Sequence, residues 1–462
     1  MFVKLSIRNL GPIENIETIV KPITCVVGKN AVGKSLLLMT MYTLASTLPD
    51  FSKWFETTYR DIESLYEDLT TSVKEEANNR VAQILAKYTK NLIQGLELAI
   101  KEPLRQRLET LLGAPDLVPR EILVLDTETD LGYKMRYNEE KELEFRFVCH
   151  DVNVTIERAL YHNDSLSIIG EVTWCKSSEH LELRGIRSAR DVSISLAGYV
   201  LPRILASLAP LSLGAWGNLQ YFACDARAGV LRMLPLAIQS TLLASYTQKA
   251  YMPAVVSEFL SILTNKDLNK AVEHVRNSAK EFLNEIGIRD IFLEEITPGF
   301  YKPVIVDRWG KKIGIEYVSS GIRESILVPL ALTVAEGVAV FVEEIEAHLH
   351  PRALHKLIKY LVKEVIERYS FLVFTTHNPI TLSSLNNVLL ELERKKPLIH
   401  ELFTVLYLVD EEHGVRGVEV PVSEDGFDES ALGKIYEELL EERARLEKEL
   451  EKGALHESKD SQ

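Results

Sequence analysis

Cysteine is scarce in this chain of 462 residues: Cys25, Cys149, Cys175 and Cys224 are scattered without paired spacing. That pattern excludes a disulfide framework and a zinc knuckle, and it fits a reducing compartment, so a cytoplasmic location is expected. Positive charge is short as well. Against 67 Asp and Glu stand 53 Lys and Arg, a net charge of -14, which excludes a protein that coats nucleic acid through its overall charge and confines any such role to a local basic face. The start "MFVKLSIRNLGPIENI" alternates like a strand and lacks the basic segment, apolar core and small-residue cleavage site of an export signal. Long clean apolar runs are missing too. Leu196 to Trp216 is broken by Arg203 and by Pro202 and Pro210, and Leu231 to Tyr246 is short and interrupted by Gln239 and Ser240. Both therefore suggest buried helices, and no membrane association is expected. There is no internal repeat and no low-complexity block. Glutamine is sparse beside abundant Glu, Lys and Arg, a composition that points faintly to a thermophilic source.

What remains is ordinary globular chemistry, 46% hydrophobic and 26% charged, long enough for two or three domains. Val3 to Ile7 and Ile23 to Val27 suggest strands, and a helix follows at "SLLLMTMYTLAS". Six segments are expected. After 1–49, residues 50–115 repeat apolar positions at helical spacing, as an inserted arm or lid would. Residues 116–190 switch to a period of two and suggest an antiparallel sheet. Residues 191–290 return to helix, broken near Tyr221 by "YFACDARAG", and 291–420 alternate strand and helix. The stretch 421–462 closes with a solvated amphipathic helix and a frayed tail.

The chemistry starts at "GKNAVGKS". Gly28, Lys29, Asn30, Ala31, Val32, Gly33, Lys34 and Ser35 fit G-x-x-x-x-G-K-[ST], with an apolar strand before and a helix after. Such a loop aims amides and a helix N-terminus at phosphate oxygens. Lys34 sets an ammonium against the β and γ phosphates, and the Ser35 hydroxyl completes a magnesium shell.

Hydrolysis needs further groups, far along the chain. "VAVFVEEIEAHLHP" begins as a buried strand and ends in the adjacent carboxylates Glu343 and Glu344. Side-chain alternation lets one carboxylate reach a magnesium-bound water while the other faces the γ-phosphate and an attacking water; an ordinary acidic turn capping a helix would look similar. "FLVFTTHNP" repeats the pattern and places His377 at a second strand end, where open α/β sheets collect ligand sites. In "YVSSGIRES", Ser319, Ser320 and Gly321 precede an apolar helix, either as an anion-holding N-terminus or as a plain serine cap. His348, His350 and His355 lack the partners that would complete a metal site.

In this order the motifs resemble the ATP-binding-cassette type of ATPase, in the soluble branch shared by RecF, the SMC proteins and OLD-like (overcoming lysogenization defect) ATPases. The match covers roughly the first 45 residues and 290 to 410. "GKNAVGKS" looks like the Walker A motif, "SSGIRE" like the signature, "VFVEEIEAHLHP" like Walker B with its D-loop, and "FTTHNP" like the switch histidine. The resemblance implies an α/β P-loop NTPase with a mixed-sheet core and helical and β-rich insertions, in which 1–49 and 291–420 form the two lobes of the ATPase head and 191–290 a helical subdomain. It implies ATP and Mg2+ as ligands, Glu343 holding the metal through water, Glu344 as catalytic base, His377 on the γ-phosphate and His350 in the D-loop. Asp225 and Arg227 would lie on the nucleotide side. Two features depart from the pattern: Glu343 stands where Asp is commoner, and Ser-Ser-Gly-Ile-Arg-Glu replaces the transporter Leu-Ser-Gly-Gly-Gln, which favours the soluble branch. No TOPRIM nuclease pattern follows His377.

One protomer's signature completes the other's phosphate site in this family, so a homodimer with composite ATP sites is expected. Two roles are compatible with it. One is a DNA-associated machine in repair, chromosome organisation or mobile-element defence, for which Lys87, Lys90, Lys101, Arg105 and Arg107 are candidate contacts, although charges on one helix are usually a solvated face. The other is a nucleotide-gated scaffold for a separate effector such as a nuclease, docking on residues 117 to 186.

Overall fold

The computed structural model describes residues 2–47, 50, 62–113, 117–127, 132–137, 143–148, 152–174, 177–192, 219–225, 227–232, 259–297, 300–430 and 440–447, with a few single positions between them. The apolar stretch 196–216 and most of 231–246 lie outside the described residues, as does most of the closing helix. Among the described residues, no helix is long and apolar enough to cross a membrane.

The chain opens with β1 (Val3–Leu10), β2 (Ile13–Val20) and β3 (Ile23–Gly28), then α1 (Lys34–Ser46). Two helices follow, α2 (Ile62–Lys74) and α3 (Asn78–Leu112). Strands β4 (Glu121–Asp126), β5 (Gly132–Tyr137), β6 (Leu143–Phe147), β7 (Val152–His162), β8 (Ser165–Trp174), β9 (Ser177–Ile186) and β10 (Gln220–Ala223) come next. Short α4 (Arg227–Arg232) precedes α5 (Leu268–Ser278) and α6 (Lys280–Glu285). A hairpin of β11 (Ile288–Thr297) and β12 (Phe300–Asp307), extended by β13 (Lys312–Gly314), leads to α7 (Ser320–Thr333). The chain then alternates through β14 (Ala339–Val342), α8 (Pro351–Glu367), β15 (Phe371–Thr376) and α9 (Pro379–Glu393). It returns as β16 (Phe403–Glu411) and β17 (Gly414–Val420), followed by the two-residue strands β18 (Val422–Ser423) and β19 (Gly426–Phe427).

The fold is mixed α/β. Eleven strands form one sheet in the order β10-β14-β15-β3-β16-β17-β2-β1-β4-β5-β6. From β10 to β16 neighbours are parallel, and every residue of β3, β14 and β15 is buried. Parallel strands covered on both faces need continuous apolar runs, which "AVFV" and "FLVF" supply. Helix α1 packs across β3, β15, β14 and β10, while α7 and α8 lie against β14 and β15.

The period-two stretch divides between two sheets. β4, β5 and β6 continue the central sheet from the edge of β1, with Ile7 opposite Ile122, whereas β7, β8 and β9 form a separate three-stranded sheet. The helical stretch rests on this region, α3 touching β6 and β7. α3 runs 35 residues, about 52 Å at 1.5 Å per residue. It buries Val81, Leu85, Tyr88 and Leu92 on one stripe and stops at left-handed Gly113.

Candidate functional site

The glycine loop leaves β3, which is bracketed by β15 and β16. At Gly28 a Cβ would lie 2.9 Å from Val32 Cγ2 and 3.0 Å from the Leu408 carbonyl, so the loop turns back tightly on its strand. Gly33 adopts φ 92° and would bring a Cβ to 3.0 Å from Ile13. Val32 anchors the loop in the core, while Lys29, Asn30 and Ala31 are exposed. Lys34 begins α1, and its Nζ donates to the carbonyls of Gly28 at 2.8 Å and Lys29 at 2.6 Å. Burial lowers its pKa, and the charges of Glu344 and Glu346 oppose that shift. An open cleft of about 380 Å³ borders the loop, lined by Asn30, Ala31, Gly33, Lys34, Ser35, Glu344 and Thr375 together with Pro12 and Leu36.

The acids arrive on the end of β14. Glu343 is buried, its amide donating to the Ala223 carbonyl at 2.9 Å and its Oε2 accepting from the Asp225 amide at 3.0 Å. The Ser35 hydroxyl lies near enough to the same carboxylate to favour its charged form. Burial pushes the Glu343 pKa up, and the Asp225 amide and the nearby Ser35 hydroxyl hold it back. A desolvated carboxylate beside a hydroxyl at a helix start suits a divalent cation, which would favour the charged form that burial penalises. The donor set thus fits Mg2+.

Glu344 adopts φ 44°, a left-handed backbone uncommon for any residue but glycine, and its amide donates to Thr375 Oγ1 at 2.9 Å. The turn aims its carboxylate into the cleft. His377, exposed at the end of β15, brings Nδ1 to 3.4 Å from Glu344 Oε1. Glu346 is a further acid at this site that the sequence motifs did not single out. It is 7% exposed and accepts from the Thr376 hydroxyl at 2.8 Å and the His377 amide at 3.0 Å. The only trace of it in the sequence is a third carboxylate in "EEIEA".

Asp225 is exposed and reaches Glu343 through its backbone amide. Arg227 turns inward instead. Its guanidinium donates to the carbonyls of Cys224 at 2.9 Å, Glu343 at 2.6 Å, Glu344 at 3.0 Å and Glu324 at 2.8 Å. It also pairs with the buried Glu324 carboxylate at 2.8 Å. Arg227 therefore ties the turn carrying both acids to α7.

Ser319 is the exposed N-cap of α7 with no side-chain capping bond, and Ser320 and Gly321 start the helix. These three do not line the cleft among the described residues. A Cβ on Gly321 would meet the His348 carbonyl at 2.6 Å, so α7 begins pressed against the loop that follows the acids. His350 caps α8 by accepting from the Arg352 amide at 3.3 Å, with Pro351 at the first helical position. On α3, Lys87 and Lys90 are exposed, whereas Arg105 pairs with Glu102 and Glu109 and Arg107 lies over the Tyr42 ring.

Residues 1–171 match the family described as "AAA ATPase domain", and residues 309–383 match "AAA domain, putative AbiEii toxin, Type IV TA system". The two stretches carry the glycine loop and the acid pair respectively. A 168-residue alignment at 33% identity relates the chain to the Septu protein PtuA of Bacillus mycoides, covering 32% of this chain and 21% of that protein. The chain therefore spans about a fifth of that relative's length. Solved structures similar to it include an Smc head domain with an extended coiled coil bound to the C-terminal domain of ScpA, from Pyrococcus furiosus. That likeness has 11% identity and a TM-score of 0.36, over 95% of this chain and 99% of that one. The SMC head domain from Thermotoga maritima gives 9% identity and a TM-score of 0.32, over 91% and 99%. At those scores the superpositions are loose.

Proposed function

We propose that this chain binds and hydrolyses ATP with Mg2+, and that the cycle closes and reopens a head-to-head homodimer. The observation that carries it is the single cleft lined by Lys34, Ser35 and Glu344, with Ser35 close enough to the buried Glu343 carboxylate to favour its charged form. Amides of the glycine loop and Lys34 would hold the phosphates, and Ser35 and Glu343 would hold the metal, which supplies charge neutralisation at the phosphates. Glu344 would accept the proton of the attacking water. His377, beside Glu344, would contact the γ-phosphate. Ser319, Ser320 and Gly321, exposed or half-exposed and outside the lining of their own cleft, are available to complete the cleft of a second copy.

Glu344→Gln tests this directly. The variant should bind ATP as the wild type does, lose turnover by about a hundredfold or more, and accumulate a dimer visible by light scattering. Normal turnover in it would move the base elsewhere.

For the process served, a DNA-associated role in repair, chromosome organisation or mobile-element defence stands first. The exposed Lys87 and Lys90 support it. A nucleotide-gated scaffold for an effector such as a nuclease is the second, favoured by the β7–β9 sheet, which lies outside the central sheet and exposes Leu160. Duplex binding that requires ATP and falls steeply between about 50 and 200 mM salt is expected for the first. Binding absent at low salt would leave the scaffold role.

A further inference from the structure

Glu346 directs its hydrogen bonds at a single turn. Oε1 accepts from the Thr376 hydroxyl and the His377 amide, and Oε2 faces the Thr381 hydroxyl at 3.4 Å. The three donors bracket the passage from β15 into α9. A buried carboxylate is costly without partners, and three partners on one turn lock that turn to the acid. The imidazole stands beside both acids: His377 Nδ1 lies 3.5 Å from Glu346 Oε1 and 3.4 Å from Glu344 Oε1. The two carboxylates differ in freedom. Glu344 has a side chain 35% exposed at the cleft, whereas that of Glu346 is 6% exposed and fully engaged.

We propose that Glu346 is a positioning residue, which fixes the His377 backbone and keeps Nδ1 on the carboxylate side so that Nε2 is the ring nitrogen turned to a γ-phosphate. The assignment rests on the nucleotide site proposed above. It separates two tasks: Glu344 is free to engage water because Glu346 holds the ring when Glu344 does not. The charge of Glu346 also acts on Lys34, so the same buried acid touches both walls of the cleft electrostatically.

Glu346→Gln keeps the shape and replaces one acceptor by a donor. ATP affinity and KM should stay within about threefold of the wild type while kcat falls at least about tenfold. In a His377→Ala background the same substitution should change kcat by less than about twofold, because the two residues act as one unit. A second readout needs no turnover: in protein carrying 15N-labelled histidine, His377 should be protonated at Nδ1, and Glu346→Gln should remove that preference. Equal loss of kcat in both backgrounds, or an unchanged His377 spectrum, overturns the proposal. If Glu346→Gln does not fold, Thr381→Val removes one partner of Glu346 and should reproduce a smaller loss that again vanishes without His377; persistence of the loss there counts equally against it. A wild type that binds no ATP would instead remove the nucleotide site, and the labelled histidine would still decide the role of Glu346.

Discussion

Burial acts on Lys34 and Glu343 alike, against charge: it pulls the lysine pKa down and pushes the glutamate pKa up. For Glu343 the sign has a measurable consequence. A carboxyl whose folded pKa exceeds its ordinary 4.5 contributes stability that is complete below that value and is lost as pH rises through the folded pKa. In the nucleotide-free protein, Glu343→Gln should therefore be the more stable form, by a margin that is larger near pH 8 than near pH 5, in urea unfolding. A difference that shrinks with rising pH would contradict the desolvation argument. Residue types and spacing made Lys34 and Ser35 stand out through the glycine-loop pattern, and Glu343, Glu344 and His377 through their place at the end of an apolar run. Glu346 did not stand out. Its role comes from contacts with residues thirty or more positions away, which no local pattern records.

The turn carrying Glu343 and Glu344 is joined to α7 by the buried Arg227–Glu324 pair, and α7 in turn abuts the His348 carbonyl at Gly321. Only a residue without a side chain fits there. Gly321→Ala should lower stability by about 1–3 kcal/mol in thermal or urea melts, the cost of forcing a methyl against fixed backbone. A variant as stable as the wild type would mean that α7 and this loop are loosely held. At this scale the sequence was a partial guide. The apolar runs of β3, β14 and β15 were plain, and so was the stripe of α3. β2 was not, because "IENIETIV" alternates imperfectly, its Ile19 being only half-buried. Nor could sequence say that β4 joins the central sheet, since its partner β1 lies more than a hundred residues away.

A proposed cleft that lacks part of its wall predicts a test on the whole molecule. Ser319→Arg and Lys34→Ala should each be inactive, the first for want of a usable signature and the second because ATP no longer binds. Mixed in equal amounts they should recover up to about a quarter of wild-type turnover, since half the dimers would be mixed and each would hold one intact site. No recovery would count against shared sites. The mixed α/β class was legible from the order of apolar runs and glycine loop, but the order of strands was not. β3, at residues 23–28, pairs with 372–376 on one side and 403–408 on the other. That arrangement imposes a delay at birth. The glycine loop leaves the ribosome long before its partners: β3 waits for its first neighbour until more than 340 further residues have been made, about 20 to 70 s at ordinary rates of synthesis, and for its second about 30 residues longer. Throughout that time an apolar strand stands open to wrong partners. A nascent chain of this protein should need chaperones more the more slowly it is translated, and any product cut short before β15 would carry the loop but not the sheet that shapes it.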